Sequence, residues 1–124
     1  MKIYCDGYTI GANPSNVGGG FVVMNEDLQI LSHFEIKKGH FTNNEAELLA
    51  ALKAMELAEP YDEIITDSTN TVAWITKCKV KARPDLLPFA IKARDFLTTK
   101  HLDFYQRPRE ENLAGIHIET VLHL

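Results

Sequence analysis

The sequence predicts an α/β fold in which a five-stranded mixed sheet carries helices on both faces. Residues 1–40 contain three strand-like segments separated by turn-forming residues, as in an antiparallel meander. The remainder alternates amphipathic helices with short apolar strands, and such β-α units place the later strands parallel to one another. The expected order is β-β-β-α-β-α-α-β-α, within one domain that covers residues 1–124.

The meander is predicted from apolar, β-branched and aromatic segments that end at turn signals. Residues 11–16 form a loop rich in Gly, Asn, Pro and Ser, each of which favours turns. Asn25, Glu26 and Asp27 turn the chain a second time. The predicted strands are residues 2–6, 18–24 and 28–37.

The first helix is predicted from a capping box, in which Thr42 is followed three residues later by Glu45. It is expected to reach residue 57, because apolar residues at helical spacing give it one apolar face. The cap gives Glu45 a structural role. No such role is apparent for Glu47.

The remaining elements follow from shorter signals. Pro84 suits the first turn of a helix, and Asn112 is a natural N-cap. The predicted elements are a strand at 63–66, helices at 68–77 and 84–98, a strand at 102–106 and a terminal helix at 112–122.

Composition is typical of a soluble globular protein, with 45% hydrophobic and 24% charged residues. No apolar run approaches the roughly 18 residues that span a membrane. The two cysteines, Cys5 and Cys78, predict neither a disulfide framework nor a metal site. A reducing, cytoplasmic location is therefore expected.

Charge gives two opposing indications about nucleic acid as a partner. The net charge of −4 argues mildly against it, because phosphate binding usually needs a basic surface. One basic segment is nevertheless present, with Lys77, Lys79, Lys81 and Arg83. It is either a solvated linker or a phosphate-binding patch.

Three acidic residues are predicted to converge. Asp6 ends the first predicted strand and Asp67 follows the fourth, so parallel neighbouring strands would bring both to one edge of the sheet. Glu47 lies near the start of the first helix. Each also has a simpler interpretation, as a turn residue, a helix cap or a residue favoured by the helix dipole.

Clustered carboxylates are unfavourable unless a cation offsets their charge. Their oxygens suit hard cations such as Mg²⁺ or Mn²⁺. Two such ions about 4 Å apart can activate water and stabilise a leaving oxygen in phosphodiester cleavage. Asp6, Glu47 and Asp67 are therefore the predicted metal ligands.

Several segments, in this order and at these separations, resemble the type 1 ribonucleases H. They are Tyr4–Gly7, Asn13-Pro14 with the glycines at 18–20, Thr42–Leu48, Ile65–Ser68 and Arg107–Asn112. The resemblance covers nearly the whole chain and is to short bacterial and archaeal members without a basic protrusion. It implies a ribonuclease H-like fold. The implied activity is hydrolysis of the RNA strand of an RNA–DNA hybrid with two Mg²⁺ or Mn²⁺ ions. Separately, the protein is expected to be a monomer with no membrane association.

The resemblance also implies roles for polar residues that contact the hybrid. Asn13, Thr42 and Ser68 match positions that hold a DNA-strand phosphate, and Asn44 and Thr69 match positions that read the minor groove. Recognition of the 2′-hydroxyl and of groove shape would allow the protein to distinguish RNA from DNA. Plain helix capping remains the alternative for Thr42, and turn or cap chemistry for Asn13 and Ser68.

The chain departs from the family pattern at the fourth acid, where the usual Asp of the last helix is Ile116. Glu119 is the favoured substitute, because it lies three residues later and helical side chains point back toward the N-terminus. Glu111, Asn112 or no fourth ligand are the alternatives. The family's usual catalytic-loop His also has no match. An alternative function is therefore a weakly active or inactive hybrid-binding domain with the same fold, and a third is a different metal nuclease.

Overall fold

The computed structural model describes residues 1–124 and contains one five-stranded sheet of order β3-β2-β1-β4-β5. β1 pairs antiparallel with β2 and parallel with β4, β2 pairs antiparallel with β3, and β4 pairs parallel with β5. The predicted mixed sheet is confirmed. The strands are β1 (Lys2–Thr9), β2 (Gly19–Asn25), β3 (Ile30–Ile36), β4 (Glu63–Thr66) and β5 (Asp103–Gln106).

Four α-helices complete the predicted order of elements. The segment at Pro84 begins with one 3₁₀ turn, Pro84–Leu86, before the third helix, and Arg109–Glu111 forms a second such turn. The helices are α1 (Asn43–Leu57), α2 (Thr69–Lys77), α3 (Leu87–Thr99) and α4 (Leu113–Thr120). None of them has the length and hydropathy needed to cross a membrane.

β1 is longer than predicted and continues past Asp6 to Thr9. The added residues pair with the glycines that begin β2, Tyr8 with Gly20 and Thr9 with Gly19. A Cβ at Gly19 would lie 2.0 Å from the backbone oxygen of Tyr8, so the glycine allows the two strands to pair this closely. Asp6 therefore lies inside the strand.

β3 begins two residues later than predicted, at Ile30. The turn before it extends through Gln29, because the side-chain oxygen of Asn25 accepts hydrogen bonds from the backbone N–H groups of Asp27 and Gln29. Leu28 within this turn has a positive φ of 65°.

The two faces of the sheet carry separate cores. Along β2, Phe21 and Val23 belong to the large core that α1 and α3 cover, whereas Val22 and Met24 belong to a smaller core beneath α4. This alternation is expected for a strand covered on both sides. Helices on both faces are thereby confirmed, and β1 runs through the middle of the sheet between them.

Candidate metal centre

Asp6, Glu47 and Asp67 converge at one end of the parallel strands. One carboxylate oxygen from each lies within 4.8 Å of those from the other two. The register explains this position for the two aspartates. Tyr4 pairs with Ile65 at the last β1–β4 pair, and each aspartate lies two residues further along the chain, Asp6 within β1 and Asp67 just after β4.

Glu47 reaches the aspartates because α1 approaches β1 closely at Gly7. A Cβ on Gly7 would lie 2.4 Å from the backbone carbon of Ala46, so only glycine permits this approach. The backbone N–H of Gly7 also donates a hydrogen bond to Oε1 of Glu47 at 3.2 Å. The glycine after Asp6 thus brings the third carboxylate to the site and orients it.

Glu45, two residues earlier, has different partners. Thr42 caps α1 by accepting a hydrogen bond from the Glu45 backbone N–H at 3.1 Å. The Glu45 carboxylate forms ion pairs with Lys38 and, at 3.2 Å, with Arg83. Its structural role is therefore mainly ion pairing, and it does not belong to the acidic cluster.

The electrostatics of the cluster favour a bound cation. Burial raises the pKa of Asp6, and burial next to Asp6 and Asp67 raises the pKa of Glu47 well above the usual range of a glutamate. Oδ1 of Asp6 and Oε2 of Glu47 are buried without a hydrogen-bond partner. Unpaired buried oxygens in an all-carboxylate cluster fit a hard divalent cation such as Mg²⁺ or Mn²⁺.

Arg109 contacts this cluster, which the sequence did not indicate. Its Nη1 donates to Oδ2 of Asp6 and, at 2.9 Å, to Oδ2 of Asp67, while its Nε donates to Oε1 of Glu119 at 2.9 Å. These acidic neighbours raise the pKa of the guanidinium, which remains charged. The only available signal was the position of Arg109 in the Arg107–Asn112 motif.

The candidates for a fourth ligand lie outside the group of three carboxylates. Glu119 is exposed and pairs with Arg109, and Glu111 is exposed in the second 3₁₀ turn. Asn112 caps α4 as predicted, because its Oδ1 accepts from the Ala114 N–H at 3.2 Å while its Nδ2 donates to the Cys5 carbonyl. The fold therefore already uses both ends of the Asn112 amide.

The position of the usual fourth acid also differs in its surroundings. Ile116 lines an apolar depression with Met24 and Leu113. The neighbouring Gly115 faces the acids instead, since a Cβ there would lie 3.1 Å from Oδ2 of Asp6 and 3.0 Å from the Arg109 guanidinium. The lack of a side chain at Gly115 leaves the space that Arg109 fills.

Four of the five residues expected to bind substrate lie at the N-termini of α1 and α2, and Asn13 contacts the N-terminus of α1. Ser68 caps α2 by accepting from the Thr71 N–H at 3.1 Å, and Thr42 caps α1, so both have the structural roles that were kept as alternatives. Asn13 accepts from the Asn43 N–H at 2.9 Å. Asn44 is exposed, and its Oδ1 accepts from the Asn70 side chain at 3.4 Å. Thr69 is exposed and is the first residue of α2.

The basic segment separates into two parts. Lys77, Lys79 and Lys81 are exposed and line a shallow pocket together with Trp74. Arg83 instead pairs with Glu45 and Asp85, and its Nη1 donates to Oγ1 of Thr42 at 3.4 Å. The pocket lies at the end of α2 distant from Asp67.

Comparison with known proteins gives one family. The sequence model of the RNase H family matches residues 1–118. Ribonuclease H1 of the halophilic archaeon Halobacterium salinarum is 26% identical, with a TM-score of 0.70 over 99% of this chain and 98% of that one. The N-terminal RNase H domain of Rv2228c from Mycobacterium tuberculosis is 25% identical, with a TM-score of 0.68 over 91% of this chain and 90% of that one.

LC11-RNase H1 was solved in complex with an RNA/DNA hybrid. It is 28% identical to this chain, with a TM-score of 0.63 over 90% of this chain and 87% of that one. Among curated protein sequences, none matches the chain significantly.

Proposed function

Because this chain belongs to the ribonuclease H family, we propose that it is an endoribonuclease that hydrolyses the RNA strand of RNA–DNA hybrids with two divalent metal ions. The observation that carries the proposal is the convergence of Asp6, Glu47 and Asp67 within 4.8 Å of one another. The hybrid bound by LC11-RNase H1 supports the choice of substrate.

Each part of the site has a separate task in this reaction. Asp6, Glu47 and Asp67 would hold the Mg²⁺ or Mn²⁺ ions, which would supply activation of the attacking water and charge stabilisation at the leaving oxygen. The N-termini of α1 and α2 bring backbone N–H groups and the side chains of Thr42 and Ser68 to the same edge of the sheet, where a phosphate is favoured. Asn13, Asn44 and Thr69 are the further proposed contacts to the hybrid.

A second candidate function is a hybrid-binding domain with little or no hydrolysis. Ile116 favours it, because no carboxylate occupies the position of the usual fourth acid. The contacts of Arg109 with Asp6 and Asp67 favour it as well, since the guanidinium already neutralises part of the negative charge that would bind a metal ion. Three clustered acids with unpaired buried oxygens favour the active enzyme.

One assay separates these functions. Labelled RNA–DNA hybrid, double-stranded RNA and double-stranded DNA are each incubated with Mg²⁺, Mn²⁺ or EDTA. Metal-dependent cleavage of the hybrid's RNA alone supports the proposed enzyme, and hybrid binding without cleavage in any metal supports the binding domain. Cleavage of double-stranded DNA would instead indicate a different metal nuclease.

Two variants make the assay specific to the acidic cluster. Asp6→Asn should abolish cleavage, because it removes a buried ligand and keeps the side-chain size. Asp103→Asn is the matched control, since Asp103 is an exposed carboxylate at the opposite end of the parallel strands. The proposal fails if both variants cleave the hybrid at the wild-type rate.

A further inference from the structure

The Arg109 guanidinium lies where the acidic cluster requires positive charge. We propose that Arg109 is a resident counter-cation of Asp6 and Asp67, which a divalent ion must displace, and that Glu119 is the anchor that holds Arg109 after its displacement. This inference rests on the proposed metal site. It gives Glu119 a positioning role in place of the predicted role as fourth ligand.

Competition follows from the atoms involved. Arg109 Nη1 binds Oδ2 of Asp6 and Oδ2 of Asp67, and both carboxylates belong to the proposed ligand set. A divalent ion held by these carboxylates would repel the guanidinium charge, even if it bound the unpaired Oδ1 of Asp6. It would also compete with Arg109 directly wherever it bound an Oδ2 oxygen. The contacts of Arg109 with Asp6 and Asp67 therefore oppose metal binding.

The surroundings of Arg109 allow it to withdraw. Its side chain is 41% exposed and extends from a short 3₁₀ turn, whereas Asp6 is fully buried. Gly115 has no side chain that would hold the guanidinium in place, since a Cβ there would lie 3.0 Å from Nη1. The contact from Nε to Glu119 uses a different nitrogen from the contacts with the aspartates.

Glu119 suits the role of anchor better than that of ligand. Its side chain is 53% exposed, its Oε1 already accepts from Arg109 Nε, and Arg109 binds the aspartates through its other end. After displacement, the Glu119 contact would keep the guanidinium near the site and reduce its repulsion of the ion. Glu119→Gln should then act on metal binding only through Arg109.

The experiment is a double-mutant cycle on Mn²⁺ affinity, measured by isothermal titration calorimetry with the metal-stripped protein of residues 1–124. The variants are Arg109→Gln, Glu119→Gln and both together. Arg109→Gln should tighten Mn²⁺ binding about tenfold, the size of one charge-assisted hydrogen bond. Glu119→Gln should weaken it about threefold in the wild type and leave it unchanged in the Arg109→Gln background, if anchoring contributes about 0.7 kcal/mol.

If Glu119 is instead a metal ligand, Glu119→Gln weakens Mn²⁺ binding equally with and without Arg109, and the anchor role is overturned. Arg107→Ala is the matched control, because Arg107 is exposed and stacks on Tyr105 without contacting the acids. The counter-cation role is overturned if Arg109→Gln and Arg107→Ala change the Mn²⁺ affinity by the same factor.

Thermal unfolding gives an independent readout that needs no enzymatic activity. Arg109→Gln should lower the Tm in EDTA, because the carboxylates lose their cation, and Mn²⁺ should raise its Tm more than that of the wild type. A stable Arg109→Gln protein with the wild-type response to Mn²⁺ contradicts the inference.

The failure of the proposed function has a distinct result. If wild type, Arg109→Gln and Asp6→Asn all show no Mn²⁺ binding at millimolar concentration, the metal site is absent and the inference about Arg109 fails with it. Mn²⁺ binding that depends on Asp6 but not on Arg109 leaves the metal site intact and refutes the counter-cation alone.

Discussion

At the scale of single residues, the burial of the Glu47 carboxylate lowers the free energy of unfolding when that carboxylate is ionised. This carboxylate is buried beside Asp6 and Asp67, and one of its oxygens has no partner. Burial raises its pKa well above the value of about 4.3 expected in the unfolded chain. Above that unfolded value the folded protein binds more protons than the unfolded one, so its stability decreases as the pH rises.

The expected decrease in stability with rising pH gives a prediction for the metal-free protein. In EDTA, the wild-type free energy of unfolding should fall as the pH rises from the unfolded-chain pKa of a glutamate, about 4.3, through the raised pKa of Glu47. Glu47→Gln should lose less over the same range, because it cannot ionise and its amide oxygen can still accept from Gly7. Urea denaturation at several pH values measures the difference.

The control for this prediction is Glu56→Gln, which changes an exposed glutamate on the same helix. It should keep the wild-type pH dependence. Equal pH dependence in wild type and Glu47→Gln would show that the Glu47 carboxylate is not destabilised by its burial.

At the scale of secondary-structure elements, the site depends on how closely α1 approaches β1. Gly7 is the contact point, and Glu47 follows Ala46 directly on the facing helix. Gly7→Ala should destabilise the protein by about 1–3 kcal/mol, the usual cost of overpacking, because the added methyl meets backbone that cannot move freely. The displaced helix should also carry Glu47 away from the aspartates and weaken Mn²⁺ binding.

Gly39→Ala provides the matched control for Gly7→Ala. A Cβ at Gly39 meets only the Asn16 carbonyl oxygen at 3.8 Å, and its φ is not in the left-handed region. Its stability should stay within about 0.5 kcal/mol of wild type. Denaturant melts and Mn²⁺ titrations on both variants test the close approach, and equal stabilities would contradict it.

At the start of α2, the capping role of Ser68 and its proposed phosphate-binding role can be tested separately. Ser68→Asp preserves a good N-cap, so stability should remain within about 0.5 kcal/mol of wild type. The new negative charge should weaken binding of RNA–DNA hybrid in EDTA by about tenfold, which corresponds to 1.4 kcal/mol. Fluorescence anisotropy with labelled hybrid measures this loss.

Thr98→Asp adds the same charge at an exposed position on α3 and should bind the hybrid nearly as wild type does. If Ser68→Asp and Thr98→Asp bind equally well, Ser68 has only its capping role.

The elements show which features a sequence can predict. Thr42 and Ser68 mark the starts of α1 and α2 because a cap is a local interaction between residues three apart. The alternation of β-α units indicates the parallel pairing that brings Asp6 and Asp67 together. The extension of β1 to Thr9 depends on the glycines of another strand, and the contact of Arg109 with Asp6 joins residues 103 positions apart. Such contacts leave no local pattern in the sequence.

At the scale of the whole molecule, the charge distribution limits how the protein can hold a nucleic acid. The net charge is −4, and the Arg83 guanidinium is occupied by Glu45 and Asp85. Lys77, Lys79 and Lys81 are exposed around Trp74 at the far end of α2, whose other end carries Ser68 beside Asp67. A phosphate backbone that passes Ser68 and follows α2 would reach these lysines.

Salt dependence tests this path across the molecule. Hybrid affinity should fall steeply with salt, and Lys79→Ala with Lys81→Ala should reduce the slope of log K against log[salt] by roughly 0.9 for each phosphate that the protein no longer neutralises. Arg83→Ala should change the slope little, because its carboxylate partners already neutralise it. Lys92→Ala, at an exposed position on α3, is the control for removal of a lysine charge. If the double lysine variant has the wild-type slope, the backbone does not follow α2, and the lysines form only a solvated surface.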